Sequence, residues 1–317
     1  MIPAMHWPLF SFIASLLLAL SASAVTIPVT SGTVVLDLDP VALGNLNYGT
    51  DPNIRALILE EFFRGDEDRN RTYDQILSQH IVPNFTEIPA QCLKCEINGT
   101  SVTNLNDPRP GPQRHRVPST FTYDPANVTG TASGVIGLTG ITRYIGDFTG
   151  GFVLGDFDIR YNLSATEYPY PNRGWVFVNN YAFIGVPAFE TANVTVTASS
   201  GKLVVEGDLT MSYELDLYFF PGDWGKKIGT FRLETPTAAV MPPRMPLLTQ
   251  TGGGMRIDLT GKGNACYQLQ YSTDLLNWHS IGTKVTGREQ LIQWNDNGPP
   301  LTPSAPSGSR FYRLIED

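Results

Sequence analysis

The chain is poor in charge. Only 16% of its 317 residues are Asp, Glu, Lys or Arg, which excludes a disordered polyelectrolyte or a coiled coil, whereas 42% are hydrophobic, enough for a packed core. Basic residues are scarcer than acidic ones, 22 against 30, and the net charge of -8 has the wrong sign for gripping phosphates. The balance therefore argues against a nucleic-acid partner. Histidine is rare too: beyond His6, only His80, His115 and His279 could act as the base of a serine or cysteine triad. A Gly-x-Ser-x-Gly elbow, a His-Glu-x-x-His helix and a Gly-rich phosphate loop are all missing.

Cysteine is limited to Cys92, Cys95 and Cys266, an odd number that fits a disulfide framework poorly. Cys92 and Cys95 form a CxxC. It is half a zinc site that His80 and His115 would have to complete, or a redox pair lacking its usual βαβ setting, or a short structural disulfide, or two buried thiols.

Long apolar runs are confined to the start. Leu9 to Leu20, broken by Ser11 and Ser15 and followed by Ala22-Ser23-Ala24, is expected to be a signal peptide over 1–24 that is cleaved after Ala24, although no Lys or Arg precedes it. The alternative, a retained anchor, needs roughly 20 apolar residues to span hydrocarbon, more than this run supplies. The expected location is secreted or cell envelope, with no membrane span after cleavage. Asn-x-Ser/Thr sequons at Asn70, Asn84, Asn98, Asn127, Asn162 and Asn193 matter only in a cell that glycosylates them.

What is abundant is turn chemistry, 30 Gly and 24 Pro, between short runs of strand pattern. The chain reads as mainly β, with an antiparallel β-sandwich or barrel-like domain over 25–234 and strands around Thr33–Leu38, Gly134–Tyr144, Gly151–Tyr161, Gly174–Asn179, Asn193–Thr197, Leu203–Val205 and Lys227–Leu233. The clearest alternation, Met211 to Phe219, predicts a half-buried strand.

A short helical insert is expected over about 52–80: Asp51 and Pro52 begin one helix carrying Ile54, Leu57, Ile58, Glu61 and Phe62, and Thr72 begins a second carrying Ile76 and Leu77. Residues 83–118, rich in Pro, Asn and Gly and holding Arg109, Arg114, His115 and Arg116, predict a long surface loop. Dense proline over 235–248 predicts an extended linker. Five strands follow in a second module over 249–317, few for a complete sandwich.

Within that module, Tyr267-Gln-Leu-Gln-Tyr-Ser-Thr-Asp-Leu-Leu-Asn-Trp278, Ile281-Gly-Thr283 and Ser309-Arg-Phe-Tyr-Arg-Leu314 resemble the fibronectin type III-like C-terminal module of exported bacterial proteins. The resemblance implies an extracellular β-sandwich accessory module and brings no catalytic residues. The N-terminal region is loosely similar, through Phe121 to Gly130 and Gly155-Asp-Phe157, to the β-rich body of exported bacterial proteins. From the residues themselves, Tyr267, Leu269 and Tyr271 share a strand face, Ser272-Thr273-Asp274 suits a turn, and Trp278 is placed to cover the core.

Three constellations carry candidate chemistry. Asp66, Asp68, Asn70, Thr72 and Asp74 place oxygen ligands at alternate positions for Ca²⁺ between two expected helices, although Arg71 and Leu77 replace the Gly and Glu of an EF-hand; the bland alternative is a solvated acidic connector. Asp156 with Asp158, and Glu214 with Asp216, would share strand faces and could serve a glycoside-type hydrolase, or arise from simple alternation. Aromatics cluster around Tyr168, Tyr170, Trp175, Tyr181 and Phe183, and again at Tyr218, Phe219, Phe220 and Trp224, where they could stack on sugars or fill the core. The leading expectation is an exported non-enzymatic binding or structural protein that recognises polysaccharide or another envelope component through Tyr168, Tyr170, Trp175 and Trp224. The alternative is a secreted hydrolase using the paired carboxylates.

Overall fold

Alternating apolar and polar residues between Gly, Pro and Asn turns become antiparallel sheet nearly throughout the computed structural model, which describes residues 26–47, 55–64, 71–78, 87–99, 114–146, 152–161, 174–199, 201–236, 246–306 and 310–316. The expected signal peptide over 1–24 lies outside them. The first half comprises β1 (Ile27–Pro28), β2 (Thr33–Leu38), α1 (Pro40–Gly44), β3 (Ile58–Phe63), α2 (Tyr73–Ser78), β4 (Leu93–Ile97), β5 (Thr122–Tyr123), α3 (Val128–Thr131), β6 (Val135–Thr139), β7 (Ile141–Ile145), β8 (Phe152–Gly155) and β9 (Asp158–Tyr161). Then come β10 (Trp175–Asn179), β11 (Val186–Ser199), β12 (Lys202–Met211), α4 (Tyr213–Tyr218) and β13 (Lys227–Glu234).

Eight strands close into an antiparallel barrel in the order β10-β11-β12-β13-β2-β4-β6-β9. Its interior is a packed core, with Phe177 edge-on to Phe157 at 6.2 Å and to Phe231 at 5.2 Å. Two strand pairs run past the barrel end. β6 passes into β7 at Gly140 (φ +146°), β8 passes into β9 at Asp156 (φ +45°), and Asp156 N–H donates to Gly140 O at 2.9 Å. Beyond this corner β7 and β8 join β3 in a separate three-stranded sheet. Gly140 is required here, because a Cβ would lie 2.9 Å from Cys95 Sγ at a φ that side chains rarely adopt.

Three local expectations change. Ile58–Phe63 is a strand, not part of a helix: it pairs with Ile141–Ile145 through a bulge between Leu59 and Glu61, which buries Leu59 and Glu60 in succession and imitates helical spacing. Residues 83–118 are not one surface loop, since Leu93–Ile97 alternates in burial as a barrel strand and Arg114 and Arg116 are buried. Tyr213–Tyr218 is a helix, not a strand, because the Ser212 hydroxyl accepts from Leu215 N–H at 3.1 Å and caps it. The second expected helix does form, with Thr72 and Gln75 exchanging bonds in a capping box at its start.

The remaining strands, β14 (Leu247–Thr251), β15 (Gly254–Thr260), β16 (Cys266–Ser272), β17 (His279–Thr286), β18 (Leu291–Asp296) and β19 (Phe311–Glu316), form two three-stranded sheets, β14-β15-β18 and β17-β16-β19, around a core of their own. That core shares no residue with the barrel core. β14 begins inside the stretch read as a linker, of which 237–245 lie outside the described residues.

The two bodies touch through polar side chains. Asn264 Nδ2 donates to Thr33 O (2.9 Å) and Arg232 O (3.1 Å), and Thr286 Oγ1 donates to Asp37 Oδ1 (2.8 Å). Among the described residues no helix is long and apolar enough to cross a membrane.

Candidate functional site

An opening lies between β8, the turn at 181–185 and α4. Leu154, Asn179, Phe183, Val186, Leu215, Tyr218 and Phe219 line a cleft of about 400 Å³ there. Leu154 and Leu215 are buried and make its floor, while Phe183, 48% exposed, and Tyr218, 68% exposed, stand at its rim with Ile184 and Leu217 beside them. Phe219 joins floor to rim, edge-on to Phe152 at 5.2 Å and to Phe183 at 5.5 Å.

The one amide in the lining is occupied internally. Asn179 Oδ1 accepts from Gly155 N–H at 2.8 Å, and its Nδ2 donates to Tyr181 O at 2.7 Å and Phe183 O at 3.0 Å. Those bonds hold the 181–185 turn so that Phe183 stays at the rim. The surface presented to a ligand is therefore apolar.

α4 is held just as firmly. Ser212 Oγ donates to Pro187 O at 2.8 Å, and Asp216 Oδ1 accepts from Asp223 N–H (2.6 Å) and Trp224 N–H (2.8 Å). Trp224 Nε1 donates to the buried Glu190 at 3.1 Å, and its indole meets Tyr213 edge-on at 5.8 Å. Held by these four flanking bonds, the rim is a preformed surface and not a fraying helix.

Of the four aromatics expected to bind polysaccharide, the structure describes Trp175 and Trp224. Tyr168 and Tyr170 lie outside the described residues. Trp175 is 1% exposed, packed in the barrel against Phe121 and Tyr161, so its ring faces no solvent. Trp224 keeps 39% exposure, but it is not in the cleft lining.

Of the calcium candidates, Asp66, Asp68 and Asn70 lie outside the described residues, Thr72 caps α2, and Asp74 is an exposed residue of its first turn. Among the described residues the element before them is β3, a strand where the first flanking helix was expected. Among the described residues no group of three or more His, Cys, Asp or Glu could hold a metal ion.

The carboxylate pairs are embedded in structure. Asp156 and Asp158 are fully buried; Asp156 is bound by Arg114 at 2.6 Å, and Asp158 by Arg160 and by Asn180 Nδ2 at 2.8 Å. Glu214 and Asp216 sit on a helix and share no strand face. Cys92 and Cys95 separate as well. Cys95 belongs to the barrel core, whereas the Cys92 thiol lies 3.2 Å from Thr286 Oγ1 of the second body, and the two are not joined in a disulfide.

Leu154, Asn179, Val186 and Leu215 were missed as site residues. The signal for α4 was in the sequence, as Ser212 followed by Glu214 and Asp216, a capping residue ahead of first-turn acids, but the apolar alternation masked it. No family model, curated protein or solved structure matches the chain.

Proposed function

We propose that this chain is a non-enzymatic binding protein of the secreted or cell-envelope space, and that it holds polysaccharide through the apolar cleft between α4 and the 181–185 turn. The observation that carries this reading is the rim itself: Phe183 and Tyr218 remain exposed on a rigid framework whose neighbouring polar groups are internally bonded. Large apolar side chains kept in water by a preformed surface mark a binding site. The flat C–H face of a pyranose ring stacks on such rings, with its hydroxyls turned to water at the open side. The second body, two small sheets around a separate core, supports the accessory sandwich that the fibronectin type III-like resemblance implies.

Retention of the chain on immobilised polysaccharides tests the assignment. Tyr218→Ala and Phe183→Ala are each expected to weaken retention about tenfold. Trp224→Ala, which removes one of the contacts holding α4 and none of the cleft lining, should weaken it less than either. Loss in Trp224→Ala alone would move the site away from the cleft, and equal behaviour of all three variants and the parent chain would remove the proposal. Binding of an apolar dye but of no polysaccharide would keep the cleft and replace its ligand with an acyl or aromatic one.

A further inference from the structure

Cys92 and Cys266 come from different bodies, yet they line one pocket of about 230 Å³ together with Phe62, Ile88, Lys94 and Lys284. Cys92 sits at the start of β4 in a left-handed conformation (φ +61°), fixed by its N–H donating to Asp37 Oδ1 at 2.8 Å. Cys266 opens β16 directly opposite Thr286 of β17. Thr286 Oγ1 is within hydrogen-bond reach of both partners across the junction, 3.2 Å from Cys92 Sγ and 2.8 Å from Asp37 Oδ1. Both thiols therefore lie at one junction, Cys92 beside the Thr286 hydroxyl and Cys266 across the β16–β17 pair from the same residue.

We infer that Cys92 and Cys266 form a disulfide that ties the C-terminal body to the barrel. The odd cysteine count then resolves: Cys95, sealed in the barrel core, is the thiol left over. Polar contacts from Asn264 and Thr286 already hold the junction, so the bond closes between groups the fold has brought together.

The chemistry assigns the order of events. The neighbouring Cys266 thiol holds the Cys92 thiol below the ordinary range against burial, with help from Thr286 and Lys284, whereas Cys92 and burial push Cys266 up. Cys92 is thus the attacking thiolate. It attacks one sulfur of a disulfide oxidant, either a protein dithiol oxidase or oxidised glutathione, forming a mixed disulfide and expelling one thiolate. That thiolate takes the Cys266 proton, and the Cys266 sulfur attacks Cys92 Sγ and expels the second sulfur of the oxidant, which leaves as a thiol after protonation. Two protein thiols are oxidised and one oxidant disulfide is reduced.

The inference is independent of the polysaccharide reading. Its test uses the full chain incubated with oxidised glutathione, blocked with iodoacetamide and cut by cyanogen bromide, which cleaves after Met211 and Met255 and leaves Cys92 and Cys266 on separate fragments. On a denaturing gel without reductant the two fragments are expected to run joined, and to separate on adding dithiothreitol. Thiol titration of the native oxidised chain after denaturation should fall from three to one. Fragments that separate without reductant, three titrating thiols, or a Cys92–Cys95 cross-linked peptide would each overturn the inference. Cys95→Ser should still cross-link, which keeps the test open if a Cys92 or Cys266 variant fails to fold.

Discussion

Replacing Asp296 with alanine is expected to destabilise the C-terminal sandwich by about 3–5 kcal/mol, because it leaves a nearly buried arginine without its partner. Asp296 is fully buried at the end of β18 and accepts from Thr302 Oγ1 (2.7 Å), Arg310 Nη1 (2.6 Å) and the Tyr312 hydroxyl (2.8 Å). Arg310 also lies over the Tyr271 ring at 4.8 Å. One carboxylate therefore clamps Thr302, Arg310 and β19 onto the sheet that holds β18.

Urea unfolding under reducing conditions, followed by Trp294 in the sandwich core, reads the change. A shift under about 1 kcal/mol would show that the clamp contributes no more than an ordinary hydrogen bond. The pH dependence has a definite sign. Burial pushes the Asp296 carboxyl up, but its three donors outweigh burial and hold it below the ordinary carboxylate range. A depressed pKa stabilises the fold above the unfolded value of about 3.9, and that contribution is lost as pH falls below it. The Asp296→Asn chain should accordingly show a flatter stability profile below about pH 4 than the parent chain.

The same clamp gives a physical content to the motif read from the sequence. Arg310 and Tyr312 of the Ser309–Leu314 phrase bind Asp296, and Arg313 stacks over Trp278 at 4.3 Å, joining the two ends of the motif. The Ser272–Asp274 turn forms as expected, with Asp274 accepting from the N–H groups of Leu276 and Asn277 at 2.8 Å. Trp278 sits over that turn and outside the core cluster. Period-two alternation made most strands legible, since the pleat fixes which side chains are buried.

Alternation misled where another constraint governed. At Ile58–Phe63 a bulge destroyed the period, and at Tyr213–Tyr218 a six-residue helix hid under an alternating pattern because its cap, not its periodicity, decides the outcome. The cleft was legible only as a list of aromatics. Whether Trp175 or Phe183 reaches water depends on which residues close the barrel, and those pairings join segments far apart in the chain. The pocket that Cys92 and Cys266 share is hidden for the same reason, since it joins two bodies that each pack around a separate core.

Asp156 governs the other large expected effect, and it couples stability to the proposed site. It occupies the corner where β8 leaves the second sheet for the barrel, in a left-handed conformation that Asp and Asn tolerate better than other side chains. Its carboxylate is bound twice by Arg114, through Nε at 2.6 Å and Nη2 at 3.1 Å, and its carbonyl accepts from Asn180 Nδ2 at 3.1 Å. Asp156→Ala takes from the buried Arg114 charge the carboxylate that binds it twice and is expected to cost about 3 kcal/mol, with about 1 kcal/mol more for the strained backbone. Asp156→Asn keeps the conformation and should be the milder change by that backbone difference.

Adding Arg114→Met to Asp156→Asn should recover part of the loss, because the buried charge that lacked its carboxylate is then gone. Urea midpoints of the barrel transition, followed by Trp175, check the series. The adjoining Gly155 N–H and Asn179 side chain set the Phe183 turn, so Asp156→Asn should also weaken ligand retention under conditions where the chain remains folded. An Asp156→Ala barrel as stable as the parent would mean that strand pairing alone turns this corner and that the buried ion pair is not what shapes the cleft.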